Sequence, residues 1–164
     1  MLGCLISSAI VCVGRHSQAA ADKLFGNMTY FTSCPYIAKN VTLVNGYRLT
    51  WHSRLHVSLS YDRRYVYGDW NDDGLKDAAV VISESQGGSD DERWLAFLVN
   101  DGSRLVHRQS AFLGDSAIIH SVKTRGGHVV VDMSIHQEDD CQAGPTKRVK
   151  QIYEYGRPLS ASSV

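Results

Sequence analysis

The segment GDWNDDGLKDAAVVI, from Gly68 to Ile82, joins an acidic loop to a continuous apolar run. Oxygen-bearing side chains recur at every second position of the loop, at Asp69, Asn71 and Asp73, and a further carboxylate follows at Asp77. A hard cation needs six or more oxygens, and a short loop supplies them when alternate side chains point inward while the backbone curls. The segment therefore predicts a calcium-binding loop that leads directly into a buried strand.

This loop differs from an EF-hand. Counting from Asp69, the twelfth position of an EF-hand requires a bidentate glutamate, and here it is Val80. Asp77 supplies the last acid instead, and a strand follows where the EF-hand has a helix. Gly74 suits a sharp bend. A second interpretation remains open: an Asx-rich turn between two strands, held by bonds from its side chains to its own backbone.

Strand patterns at short, turn-marked intervals surround the loop. The pair Asn45-Gly46 favours a type I′ hairpin turn, and residues 22–26 predict one helical turn. The predicted fold is mainly β, an antiparallel sheet or small sandwich with a short N-terminal helix, and the alternative is α+β. The acidic loop occurs once, so the chain is not a propeller by itself. The strands are predicted at 41–44, 47–51, 56–60, 65–67, 78–83, 94–99, 103–112, 116–123, 128–135 and 147–155.

Composition limits the classes of function. The chain has 164 residues, 43% hydrophobic and 21% charged, with a formal net charge of zero. These values suit one globular domain with an adequate core. Balanced charge argues against a general nucleic-acid binder, which would carry a basic excess. No apolar run is long enough to span a membrane.

The N-terminus predicts export. Residues 2–14 are apolar and small, and Ala19 and Ala21 have the spacing of a signal-peptidase site. We therefore expect a signal peptide over 1–21, one β-rich domain over 22–155 and a flexible tail over 156–164. The apolar stretch lacks a preceding Lys or Arg, so a buried N-terminal helix is the other interpretation. Export would place the protein in the periplasm or outside the cell.

Two further groups of residues are candidates for chemistry. Cys34 and Cys141 would remain after processing and would be able to pair in an oxidising compartment, or stay as two thiols. His136 stands beside Glu138, Asp139 and Asp140, a cluster that suits a second metal site, a general base or a solvated loop. No nucleophile elbow, HExxH motif, Walker A motif or Rossmann fingerprint is present.

The loop pattern D-x-N-x-D-G-x-x-D running into a strand resembles the calcium loops of FG-GAP repeats. That resemblance implies side-chain ligands from Asp69, Asn71, Asp73 and Asp77 and a main-chain carbonyl from Leu75. Segments 27–30, 68–81, 87–89, 112–115, 129–133 and 145–155, together with His136, resemble small secreted bacterial proteins of unassigned function that carry one such loop. That family often has adjacent cysteines near residues 139–144, where this chain has a single one.

The sequence thus favours a secreted or periplasmic, calcium-stabilised β-rich binding or structural module. Its expected partner is an unidentified protein or glycan of the cell envelope, with no nucleic acid and no transmembrane segment after processing. The alternative is a small envelope enzyme or enzyme inhibitor that uses His136 and the acids beside it.

Overall fold

The computed structural model describes residues 18–35, 39–52, 55–87, 91–137, 140 and 144–157. Within these ranges the chain forms one helix and ten strands. The elements in chain order are α1 (Gln18–Phe25), β1 (Thr29–Phe31), β2 (Asn40–Thr42), β3 (Tyr47–His52), β4 (Leu55–Gly68), β5 (Asp77–Ser85), β6 (Asp91–Asn100), β7 (Leu105–Asp115), β8 (Ile118–Arg125), β9 (His128–Ile135) and β10 (Lys147–Tyr153).

All strand pairing in the described residues is antiparallel. Strands β3 to β7 form a five-stranded sheet in chain order, β8 to β10 form a three-stranded sheet, and β1 pairs with β2. Short turns join β6 to β7 through residues 101–104 and β8 to β9 through residues 126–127, as alternating strand and turn patterns predict. The prediction of a mainly β, antiparallel protein with a short N-terminal helix is confirmed.

The central strand β5 is covered on both faces. Every residue from Asp77 to Glu84 is buried, which confirms the prediction from the apolar run Ala78–Ile82. A strand with one solvated face would alternate instead, as β9 does with Val129, Val131 and Met133 buried. The five-stranded sheet is therefore the middle layer of the molecule.

The three-stranded sheet covers one face of this middle layer. Ala79, Val81, Leu95 and Phe97 of β5 and β6 belong to one hydrophobic cluster with the alternate buried residues of β9. Two sheets packed face to face in this way form a β-sandwich. The small sandwich that the sequence predicts is thus the arrangement of β5–β7 against β8–β10.

Helix α1 and the β1–β2 pair cover the opposite face. Phe25 is fully buried, and its ring lies 5.8 Å from that of Tyr61 and 5.1 Å from that of Tyr65. The buried Tyr30 hydroxyl donates to the Phe25 carbonyl at 2.8 Å. Because that bond uses one of the carbonyls left free at a helix C-terminus, it ties α1 to β1.

The hairpin predicted around Asn45-Gly46 is only partly correct. Both residues have positive φ, 54° and 89°, as a type I′ turn requires. The flanking segments then diverge after a single bridge between Val44 and Tyr47, since β2 pairs with β1 and β3 pairs with β4. The turn therefore carries the chain from the covering layer into the central sheet.

The predicted cleavage position, between Ala21 and Asp22, lies inside α1. Ala21 is buried, and processing there would leave four of the helix's eight residues. The mature start stays a prediction, and residues 1–17 lie outside the described ranges. At the other end, Gly156 N–H donates to the Gln109 side chain at 2.8 Å, so the first residue of the expected tail is held against β7.

Candidate metal-binding loop and adjoining groove

The acidic loop closes one end of the central sheet. It runs from Asp69 to Lys76 between β4 and β5, whose last paired residues are Gly68 and Asp77. Its backbone turns through left-handed conformations at Asp72 (φ 58°) and Gly74 (φ 80°). Asp and Gly tolerate that region better than most residues do. The loop therefore has an aspartate and a glycine at the two positions whose left-handed backbone these residue types tolerate.

Three of the predicted ligand residues converge within the loop. Asp69 accepts the backbone N–H groups of Asp73 at 3.1 Å and Gly74 at 2.9 Å. Asp73 accepts the N–H of Leu75 at 2.7 Å and the side-chain amide of Asn71 at 2.8 Å. The loop thus folds around its own side chains, as in the Asx-turn interpretation. Such bonds leave each carboxylate with unused lone pairs.

Asp77 has a different role from the other acids of the loop. Its side chain is fully buried. One carboxylate oxygen accepts the Trp70 N–H at 2.9 Å, and the other accepts the Asn100 N–H at 2.8 Å. Asp77 therefore joins the start of the loop to the end of β6. A sequence pattern cannot show this second contact, because Asn100 lies 23 positions away.

Trp70 anchors the loop in the sandwich core. It is 8% exposed, and its ring meets that of Phe97 edge to face at 6.1 Å. A Cβ atom at Gly68 would lie 2.3 Å from the Trp70 ring, so this position accepts only glycine without rearrangement. Trp70 and Asp77 together hold the loop at both ends.

The predicted donor set suits calcium in its chemistry. It combines carboxylates with an amide and a main-chain carbonyl, and calcium takes oxygens of all three kinds. Asn71 and Asp73 are exposed and lie close to the half-buried Asp69, whereas Asp77 faces the sheet. No group of three or more His, Cys, Asp or Glu side chains in the described part of the chain is arranged to hold a metal ion. Within the predicted set, Asp69, Asn71 and Asp73 therefore fit a calcium site best.

An open groove adjoins the loop, between α1 and the turn that joins β6 to β7. Its volume is about 910 Å³. Lys76 at the end of the loop and Asn100 at the end of β6 both line it, and the Asn100 amide donates to the Lys76 carbonyl at 3.4 Å. The groove therefore shares a wall with the acidic loop.

His107 lies at the bottom of this groove and holds β1 to β7. Its Nδ1 accepts the Phe31 N–H at 2.8 Å, so its Nε2 carries the proton and donates to the Gln109 carbonyl at 3.0 Å. Burial lowers the pKa of His107 to about 4. The Phe31 ring stacks on the imidazole at 4.7 Å. At neutral pH His107 is an uncharged part of the structure.

The His136 cluster is only partly within the described residues. His136 lies 3.9 Å from Asp140, while Glu138 and Asp139 lie outside the described ranges. Asp140 accepts bonds from Gln137 N–H, Thr146 N–H and the Thr146 hydroxyl. The Thr146 hydroxyl makes the largest contribution to lowering the pKa of Asp140. Through these bonds Asp140 connects Gln137 to Thr146.

A second acidic group was not anticipated from the sequence. Glu84 is buried beside Glu92 on the neighbouring strand, and the Ser33 hydroxyl lies 3.2 Å from an oxygen of each. Burial raises the pKa of Glu84. The sequence feature that indicates this pair is a glutamate close after the apolar run Ala78–Ile82.

The predicted pairing of Cys34 with Cys141 stays a prediction. Cys34 is buried with a free thiol, and Cys141 lies outside the described residues.

Fold and site together define a small β-sandwich protein with one acidic Asx-rich loop and one groove beside it. Comparison with models of known protein families, with curated protein sequences and with solved structures finds no match. No helix among the described residues has the length and apolar character needed to cross a membrane.

Proposed function

We propose that this protein is a calcium-stabilised β-rich binding or structural module of the periplasm or the cell exterior. The convergence of Asp69, Asn71 and Asp73 around a turn that is fixed at both ends is the observation that carries the proposal. The side chains of these three residues, with the Leu75 carbonyl, would hold the ion. Asp77, which the resemblance to FG-GAP loops adds to this set, would hold the end of the loop in place through its bonds to Trp70 and Asn100. Bound calcium would supply positive charge to a loop that concentrates negative charge.

That charge is a reason for the loop to need an ion. Four carboxylates, at Asp69, Asp72, Asp73 and Asp77, fall within nine residues, and Lys76 is the one basic residue among them. Like charges so close together repel one another, and a divalent cation relieves the repulsion. A stiffened loop would also hold Lys76, and with it one wall of the groove, in place.

Calcium is expected to raise the melting temperature relative to chelator. An ion that binds only the folded state stabilises it by mass action, by about 2.7 kcal/mol when its concentration is 100 times the dissociation constant. Asp73→Ala should abolish the difference between calcium and EDTA, because Asp73 stands at the centre of the convergent side chains. Thermal melting by circular dichroism in EDTA, calcium and magnesium measures both effects.

Asp101→Ala is the matched control for this experiment. Asp101 is an acid in the neighbouring turn, where it accepts bonds from Ser103 and Arg104. Its loss should lower stability equally in calcium and in EDTA and leave the calcium increment intact. Superimposable melting curves in EDTA and in millimolar calcium would remove the metal from the proposal and leave the loop as an Asx-rich turn.

We also propose export and a partner in the cell envelope. Support comes from the signal-like N-terminal sequence and from the resemblance to small secreted bacterial proteins with one FG-GAP-like loop. A protein or glycan partner is the expectation from that setting. Intact mass of protein recovered from the envelope of a bacterial host tests export, and the expected N-terminus lies near Asp22. Full-length chain confined to the cytoplasm would contradict it.

A further inference from the structure

We propose that the groove between α1 and the β6–β7 turn binds a small anionic amphiphile, a long-chain carboxylate, with its head at Lys76 and Arg104 and its chain along the apolar wall. The inference rests on the proposed binding role of this protein and specifies the class of ligand. It does not require calcium. Three features of the groove support the proposal: its charged lining side chains, its exposed apolar side chains and the hydrogen bonds that its polar side chains already make.

The charged side chains that line the groove are basic. Lys76 and Arg104 line it, and none of the described residues that line it is Asp or Glu. The Lys76 amine lies 4.1 Å from the centre of the Tyr67 ring, a contact that leaves an ammonium able to donate to an anion. Arg104 faces Asp101 at 4.0 Å and is largely exposed. Asp101 does not line the groove. The end of the groove formed by Lys76 and Arg104 is therefore complementary in charge to an anionic head group.

Part of the wall is apolar and exposed to solvent. Leu24 of α1 and Phe31 of β1 keep 45% and 44% of their surface accessible, and both line the groove with Met28, Leu105 and Val106. Large apolar side chains that share one concave surface favour a ligand with an apolar body. Removing this surface from water would be the main source of affinity.

Many polar side chains of the groove are already bonded within the protein. Asn27 accepts the Asn45 N–H, Asn100 accepts the Gly102 N–H, and the Thr29 hydroxyl lies 2.7 Å from that of Thr42. Both ring nitrogens of His107 are also engaged. A bound peptide or glycan would bury many polar groups that need partners, and unpaired groups cost free energy. An alkyl chain makes no such demand, so one charged head on an apolar tail fits best.

The test is calorimetric titration of the full chain with decanoate. It is done in calcium-free buffer and repeated with calcium kept below the level that precipitates the carboxylate. We expect binding in both buffers, and weaker binding of decanol and of decyltrimethylammonium. The double variant Lys76→Gln/Arg104→Gln should weaken decanoate binding by about tenfold or more, the effect of losing a charged hydrogen-bond partner. Lys147→Gln, on exposed β10, is the matched control and should bind as the parent does.

A charge reversal tests the same surface in the opposite direction. Lys76→Glu should reduce decanoate binding and improve that of decyltrimethylammonium, and Leu24→Glu should weaken decanoate binding without lowering the melting temperature, because Leu24 is exposed. The proposal is overturned if decanoate fails to bind in either buffer, if the cationic amphiphile binds equally well, or if the groove variants bind as the parent does. Calcium melting curves are unaffected by any of these results, so the two proposals fail separately.

Discussion

Replacing Asp77 by alanine is expected to cause a large loss of stability. The variant leaves the buried Trp70 N–H and the part-buried Asn100 N–H without their acceptor. Each buried N–H that loses its partner costs about 1–3 kcal/mol. We expect a total of about 2–5 kcal/mol, a large part of the stability of an ordinary domain. For a chain of this size that corresponds to a fall in melting temperature on the order of 10 °C.

The measurement is made in EDTA, so that bound metal makes no contribution to stability. Asp77→Asn should fall between the parent and Asp77→Ala, because an amide keeps one acceptor oxygen and turns a donor toward the second N–H. Asp72→Asn is the matched control: it removes the same charge from the same loop at an exposed residue whose left-handed backbone asparagine tolerates. We expect its effect to stay within about 0.5 kcal/mol. Equal melting temperatures for Asp77→Ala and Asp72→Asn would contradict the role assigned to Asp77.

The second large effect is a loss of stability on acidification, caused by His107. The folded state lowers the pKa of His107 from 6.5 to about 4. Between pH 6.5 and about 4, His107 is protonated in the unfolded chain but not in the folded protein. The free energy of unfolding therefore falls as the pH falls through this range. Above pH 6.5 protonation of His107 does not reduce the free energy of unfolding, and near pH 4 it reduces it by about 3 kcal/mol.

Glu84 opposes this trend. Its pKa is raised in the folded state, so the folded protein takes up that proton first and gains stability as the pH falls. Comparison of variants separates the two groups. His107→Asn keeps a side chain that is able to accept the Phe31 N–H but does not titrate, and it should flatten the pH dependence relative to the parent.

Urea unfolding at intervals from pH 7.5 to 4 measures that difference. His120→Gln provides the matched control, because His120 is an exposed histidine bonded to the Ser134 hydroxyl. Its profile should follow that of the parent. If His107→Asn and the parent lose the same free energy between pH 6.5 and 4, the loss belongs to other groups.

Local patterns in the sequence were sufficient for much of the fold. The apolar run Ala78–Ile82 indicated a strand buried on both faces, and β5 has that environment. Gly126 and the flanking alternation indicated β8 and β9, whose predicted and observed limits nearly coincide. These features depend on side-chain alternation and turn chemistry between near neighbours, and both are properties of the order of residues.

The hairpin around Asn45-Gly46 shows where local pattern stops being informative. The turn itself follows from the two residues, because few others adopt its backbone. Which strand pairs with each flank depends on whether Val41 and Leu43 gain more by covering the central sheet than by pairing with β3. They are buried in the cluster beneath α1, so β2 pairs with β1 instead. Burial against distant residues decided this pairing.

The sequence by itself determined the mainly β character, the central buried strand and the chemistry of the acidic loop, because these are encoded within short segments. Only the tertiary structure decided that Asp77 bonds to Asn100 and that His107 bonds to Phe31, 76 positions away. It also decided that Lys76 and Arg104 share a groove with Leu24 and Phe31. Each of these contacts depends on strand register and on how layers pack, and these arise from the summed burial of the whole core rather than from any one segment.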